Sequence, residues 1–411
     1  MGAARRRRRP LARGTIARGV AAGLFVLAAG WLVIAVGVAN GMRDRLPGLA
    51  RAVAPFDART KAELASQLVL EARAPGAEAS ALAESALLRD STVVAAWRTL
   101  ALSQTSDPAR TVRLFRLMDR MSHRDIATQL WLIEENVRRN DVAGALRHYD
   151  YALRTTPAAS DALLSILADA TASDGIVLPL AAMLRTDPPW RQAYFFMLAQ
   201  RATAGGQVLR LLRALGTRRL LPREDIIAML VDRLARVGDF ASARDLYRVA
   251  RPAAPWSDLR NGGFAGASSF STLEWSPSTV PGVSAEQITL PDAGDGSVLE
   301  LRAEGGRSGI ATQQTLILAP GRYQLTQQSG LLPDVPRAAL TWRIVCINRE
   351  NTVIAEIPIP ASGQNAAVTP VWQVPASNCP AQWLAIVVRG GSESAAAGGW
   401  LDSVAIRRLP G

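Results

Sequence analysis

The sequence is almost without lysine: Lys61 is the only one among 47 basic residues, and the rest are arginine. That bias reads first as genome composition and only second as function. Histidine is scarce as well. His123 and His148 are too few to build a histidine-based metal cluster, and no nucleophile motif stands beside either. Both are read as surface residues of helices. Cysteine is limited to Cys346 and Cys379, so the chain can form one internal disulfide at most. A phosphate-cradling glycine loop ahead of a helix is also missing, because Gly262-Gly263 and Gly305-Gly306 lie in turn-rich, β-like stretches. Paired carboxylates are recognised by distance in space, so Glu300, Glu304, Glu350 and Glu356 stay open as such a pair. The expectation is a protein that is not an enzyme and needs no cofactor.

Against these absences stands ample apolar material. The 411 residues are 49% hydrophobic with a mean hydropathy of +0.09, which excludes a disordered chain and allows two or three domains. The net charge of +12 is uneven. The first 18 residues carry seven arginines and no acid, whereas the stretch from Trp256 to Gly411 carries ten basic and twelve acidic residues. About +7 is left for the middle. A basic chain invites a nucleic-acid reading, but here much of the charge abuts an apolar run, and no nucleic-acid partner is expected.

That run is Gly19 to Met42, 24 residues without a charge. As a helix it spans roughly 36 Å, enough to cross a hydrocarbon core of about 30 Å. The arginines before it keep the tail 1–18 in the cytoplasm and send residues 43–411 across a bacterial-type inner membrane, into the periplasm or beyond. A cleaved signal peptide is the competing reading, since Gly37-Val38-Ala39 has small residues at cleavage spacing. Its apolar run is, however, longer than a signal core of about 7–15 residues. Both readings export the remainder.

From about Pro55 to Pro255 apolar residues recur at three- and four-residue spacing. Asn140-DVAGALRHYDYAL and Gly238-DFASARDLYRVAR align without gaps, pairing Asp141 with Asp239, Ala145 with Ala243, Tyr149 with Tyr247 and Ala152 with Ala250. The offset is close to three periods of about 33 residues. A shift of 34 back from Asp141 reaches Asp107, and takes Tyr149 to Phe115 and Ala152 to Met118. This region resembles the tetratricopeptide repeat, in which small residues let two antiparallel helices approach and an aromatic fills the groove. The resemblance implies packing roles for Ala145, Tyr149, Ala152, Ala243, Tyr247 and Ala250. A generic solenoid of helical hairpins over 43–255 is the alternative. Such a surface binds a protein partner or serves as a spacer.

Beyond Pro255 glycine, serine, threonine and proline rise, and short strands replace helices. Strands are expected at 298–303, 313–318, 321–327, 339–348, 352–357, 383–389 and 400–407, giving a β-sandwich over 256–411. Asn261-Gly-Gly-Phe264, Trp275, QTLILAPGRYQL, VWQVP and GGWLDSVAI, in that order, resemble the galactose-binding-like jelly roll used by many carbohydrate-binding modules. That resemblance implies a polysaccharide ligand, with a protein contact or a purely structural role as the alternatives. It also implies a structural calcium, weakened because Ala265 and Ser403 stand where the family has acids; Asp402 remains as the calcium candidate.

Sugar binding needs exposed aromatic faces. Trp275, Trp342 and Tyr323 are the candidates, with Arg343 and Asn348 as polar partners, while Trp383 and Trp400 read as core. Cys346 and Cys379 in an exported sandwich suggest a disulfide; two buried thiols are the alternative. The fold expected is a multidomain α plus β chain: one transmembrane helix, an α-helical hairpin solenoid and a C-terminal jelly roll. Its role is a membrane-anchored scaffold or binding protein in polysaccharide assembly or export, the alternative being an exported carbohydrate-active enzyme or a subunit of one.

Overall fold

The computed structural model describes residues 45–410 except 73–75, 104–106, 253–257, 265–269, 291–296, 333–334, 361–369 and 392–395, together with some positions between 26 and 42. The tail 1–18 and most of the expected span 19–42 lie outside the described residues. The described positions from Val26 to Met42 are helical, and Val26, Trp31, Val33 and Ile34 among them are exposed. Among the described residues no helix is long and apolar enough to cross a membrane. The chain divides into two compact units, Met1–Ser160 and Asp161–Gly411.

The first unit is helical: α1 (Pro47–Val53), α2 (Ala58–Ala72), α3 (Ala77–Leu87), α4 (Val94–Ser103), α5 (Pro108–Met121), α6 (Ile126–Arg138) and α7 (Val142–Thr155). Starts are set by aspartates whose side chains accept the first free amides. Asp107 takes the Arg110 N–H, Asp125 that of Thr128, and Asp141 that of Gly144. Ala62 and Ala65 of α2 meet Ala83 and Ala86 of α3 and Ala96 of α4. Small side chains at these positions, with Leu82 and Val93 beside them, let the helices pack together. Farther along, Phe115 and Met118 fill the space against Ala101 and Leu132, and Trp131 stacks on Phe115 with ring centroids 3.9 Å apart.

The second unit continues with α8 (Ser160–Ala170), α9 (Asp174–Leu184), α10 (Arg191–Arg201), α11 (Gly205–Leu215), α12 (Glu224–Arg236) and α13 (Phe240–Ala250). Here helices stack on the helix two along: α9 on α11, α10 on α12, α11 on α13. Asp239 shows how the repeat is stitched. It caps α13 by accepting the Ser242 N–H at 3.1 Å and also accepts the N–H of Gly205, 34 residues earlier, at 3.2 Å. Ala145, Ala152 and Ala243 are buried, as are Tyr149 and Tyr247; Ala250 is partly exposed. The helical region is one of paired helices.

The sandwich of the same unit has β1 (Ser276–Pro277), β2 (Val283–Thr289), β3 (Ser297–Ala303), β4 (Ser308–Leu316), β5 (Gly321–Gly330), β6 (Ala339–Cys346), β7 (Val353–Ile359), β8 (Val371–Val374), β9 (Gln382–Arg389) and β10 (Ala397–Arg408). They form two antiparallel five-stranded sheets, ordered β1-β4-β9-β6-β7 and β2-β3-β10-β5-β8. Strands β1, β2 and β8 were not expected from the sequence. All three lie at sheet edges, where a strand is short or carries polar residues on both faces and the period-two signal fades. The apolar inner faces meet in one core. Cys346 and Cys379 form a disulfide across a separation of 33 residues. Gly262 explains the opening motif: a Cβ there would sit 1.8 Å from the Val404 carbonyl oxygen, so only glycine lets the first segment lie against β10.

Candidate functional site

The aromatics expected to offer open faces are core residues. Phe264, Trp275 and Trp342 form a buried chain, with centroids 5.5 Å and then 6.3 Å apart. The Trp275 indole donates to the Asn261 carbonyl at 3.0 Å and that of Trp342 to the Gln327 side chain. Tyr323 stacks on Trp372 at 5.9 Å, and its hydroxyl donates to the Ala319 carbonyl at 2.8 Å, closing the Ala319-Pro320-Gly321 turn. Expectation and structure part here because alternation along a strand gives two faces without saying which is inside. The large apolar area of an indole is worth most in the core once its N–H has a partner.

The polar candidates are also occupied. Asn348 accepts the N–H groups of Glu350 and Thr352 and donates to the Asn378 carbonyl at 3.0 Å. It is a clamp between the β6–β7 turn and the loop of Cys379. Arg343 pairs with Glu356 at 2.7 Å on the outer face of its sheet. Asp402 is buried and spends both oxygens on Ser403, accepting its N–H at 2.6 Å and its hydroxyl at 3.0 Å. Among the described residues no three His, Cys, Asp or Glu side chains gather as a metal site. Of the two histidines expected on helix surfaces, His123 is exposed, in the turn after α5, whereas His148 is buried and bonds the Gln129 side chain over 2.8 Å. Both bring a ring nitrogen near Asp119 Oδ1, 3.7 Å away for His148 and 3.8 Å for His123.

Two tryptophans read from the sequence as core stand instead on outer faces, half-buried. Leu384, Ile386 and Val388 of β9 point into the core, so Trp383 points out, beside Thr315 of β4 and Val345 of β6. The reading failed because Ala385 and Val387 on the outward side are buried as well, which makes β9 apolar on both faces from Trp383 to Val388.

On the other sheet Trp400 pairs with Glu300 and Gly330. A Cβ on Gly330 would lie 2.5, 2.5 and 2.6 Å from Cε2, Cζ2 and Nε1 of Trp400. Three near-equal distances mean that the ring lies across the glycine by its face. Glu300 beside it is paired with Arg302.

Trp383 lines a cleft of about 340 Å³ within the second unit. One wall is the outer sheet face, with Gln313 and Thr315; the other is α12 and the start of α13, with Asp232, Arg236 and Phe240. Asp232 accepts the Thr272 N–H at 2.7 Å, and burial pushes its carboxyl above the usual carboxylate range. The wall is held in place behind the cleft. Tyr247 donates to Glu274 at 2.8 Å, and the buried Arg260 donates to the carbonyls of Leu273 and Thr315. Burial brings the Arg260 guanidinium down to about 10. Its backbone N–H and C=O are both taken by the Gln314 amide, at 2.9 and 2.8 Å.

No family model matches the chain, and no curated protein matches it in sequence. Solved structures do. A putative sugar-binding protein from Bacteroides thetaiotaomicron is 12% identical, with a TM-score of 0.26, over 38% of this chain and 100% of that one. A family 16 carbohydrate-binding module is 13% identical, with a TM-score of 0.24, over 31% of this chain and 88% of that one. The enzymatically active domain of tailspike protein 4 of bacteriophage CBA120 is 14% identical, with a TM-score of 0.26, over 37% of this chain; the match spans only 21% of the tailspike.

Proposed function

We propose that this chain is a membrane-anchored binding protein of the cell envelope, without catalytic activity of its own, whose sandwich takes a polysaccharide. The observation that carries the glycan reading is the placement of Trp383 and Trp400. Both stand half-buried on outer sheet faces, while Trp275, Trp342 and Trp372 fill the core. An aromatic face flanked by polar side chains suits the C–H face and the hydroxyls of a sugar ring. The helical hairpins serve as tetratricopeptide-like repeats that hold a protein partner. In this reading residues 19–42 span the inner membrane, supported by the charge-free run after seven arginines and by the exposed apolar side chains at Val26, Trp31, Val33 and Ile34.

Affinity electrophoresis of the full chain tests the glycan part. Retardation is expected in gels containing one or more envelope polysaccharides, and its loss in a Trp383→Ala/Trp400→Ala double variant. Unchanged mobility of the wild type in every polysaccharide would remove the reading. Release of new reducing ends in the same incubations would favour the carbohydrate-active enzyme alternative. Alkaline phosphatase fused after Gly411 is expected to be active, because the enzyme works only outside the cytoplasm; an inactive but stable fusion contradicts the topology.

A further inference from the structure

We infer that the α12–α13 hairpin forms part of the saccharide site, and that the cleft it shares with Trp383 takes a single neutral sugar ring or a pair of them. The inference rests on the glycan reading above. It adds that helices, and not the sandwich alone, read the ligand.

Four observations converge. First, the wall is fixed: Asp232 holds the Thr272 N–H, and the Tyr247–Glu274 and Arg260 bonds lock the same segment, residues 272–274, from behind. A wall held this way is preorganised, which reduces the ordering cost of binding. Second, polar side chains that line the cleft are open to a ligand. Trp383, Gln313 and Arg236 all line it, and among the described residues their side chains are held by no hydrogen bond or close ion pair; Arg236 acts on Asp232 only through its charge. Asp232 has one oxygen engaged by Thr272, leaving the other to accept. Such a set offers donors and acceptors around an aromatic face, as a hydroxyl-rich ring requires.

Third, the charges balance. Asp232 and Arg236 are one helical turn apart on α12, one negative and one positive, so the cleft carries no net charge that would favour an acidic sugar. Fourth, the size is limiting. At about 340 Å³ the cleft is at the small end of ligand sites, about 300–1,000 Å³. It holds a chain end or one or two units of a longer chain.

Isothermal titration of the full-length protein in detergent, with cellohexaose, xylohexaose, mannohexaose and hexagalacturonate as probes, decides the matter. Variants are Arg236→Ala, Asp232→Asn, Trp383→Ala and Trp383→Phe, each checked by its thermal midpoint. Arg236 is exposed, so its variant keeps the fold, and Trp383→Phe retains a ring if the alanine variant does not fold. At least one neutral hexasaccharide is expected to bind. Arg236→Ala and Asp232→Asn should each weaken it about five- to tenfold, Trp383→Ala should abolish it, and Trp383→Phe should keep a reduced affinity. Binding that is lost with Trp383 but indifferent to Arg236 and Asp232 overturns the helical wall and leaves the glycan reading intact. Binding indifferent to Trp383 overturns the cleft. Tighter binding of hexagalacturonate than of any neutral probe overturns the ligand class. If no probe binds, the glycan reading fails and this inference with it.

Discussion

The hydroxyl of Tyr247, on the last helix, donates to the carboxylate of Glu274, in the segment leading to the first strand, over 2.8 Å. Both residues are buried. Phe270 completes the contact, standing edge-on to Tyr247 at 5.7 Å, with the Arg251 guanidinium 4.6 Å from its ring centroid. The hairpin and the sandwich are therefore joined by a built contact, and removing the hydroxyl exposes its worth. Tyr247→Phe leaves Glu274 with the Phe270 N–H as its remaining partner here, at an expected cost of about 1–3 kcal/mol in denaturant unfolding. Burial and the neighbouring carboxylate push the phenol up to about 12, above its ordinary value of about 10. The raised value means that this stabilisation is whole below about pH 10 and is lost as pH rises towards 12. The Tyr247→Phe variant should show a shallower alkaline limb in its thermal midpoints.

The Cys346–Cys379 bond closes a loop of 33 residues. Loop-closure entropy puts its contribution at about 3–4 kcal/mol. A Cys346→Ala/Cys379→Ala double variant should lower the unfolding free energy by that amount, with a lower urea midpoint and a slope unchanged or steeper because the unlinked chain unfolds further, and a reductant should shift the wild type in the same direction. A wild type insensitive to reductant under unfolding conditions would contradict the pairing.

Helix starts offer a graded test. Asp141 accepts one amide, at Gly144, and Asp141→Ala should cost about 1 kcal/mol. Asp239 serves two helices, through Ser242 and Gly205. Its alanine variant should cost roughly twice as much. Equal losses in equilibrium unfolding would mean that the link between successive repeats carries no weight.

Burial lowers the pKa of His148, and Arg147 and His123 act in the same sense, while Asp119 and Asp141 oppose them. A depressed histidine stabilises the fold above its ordinary value of about 6.5, and that stability is lost as pH falls through the lower folded value. Thermal midpoints should therefore decline on acidification below about pH 6.5. His148→Gln removes the titrating group while keeping a polar side chain opposite Gln129, and should flatten that decline.

Much of the architecture was legible in the chain before its structure. The change from three- and four-residue spacing to short alternating strands near Pro255 marks where helices end, because the period of apolar residues is fixed by the local geometry of each element. The 98-residue offset between Asp141 and Asp239 marks equivalent helix starts, because a capping side chain acts on amides three residues away. The edge strands β1, β2 and β8 escaped notice because an edge makes weak demands on sequence.

The sequence by itself determined where helices give way to strands, seven of the ten strands among the described residues, the number of cysteines and the presence of indoles in the sandwich. Only the tertiary structure decided which indoles face outwards. Trp275 and Trp342 are inside, with their N–H groups bonded to Asn261 and Gln327, while Trp383 and Trp400 are outside, the first beside Asp232 and Arg236 from a helix, the second flat on Gly330. The reason is that burial of a side chain depends on which face of its strand meets another layer. A strand apolar on both faces, as β9 is, carries no mark of that choice.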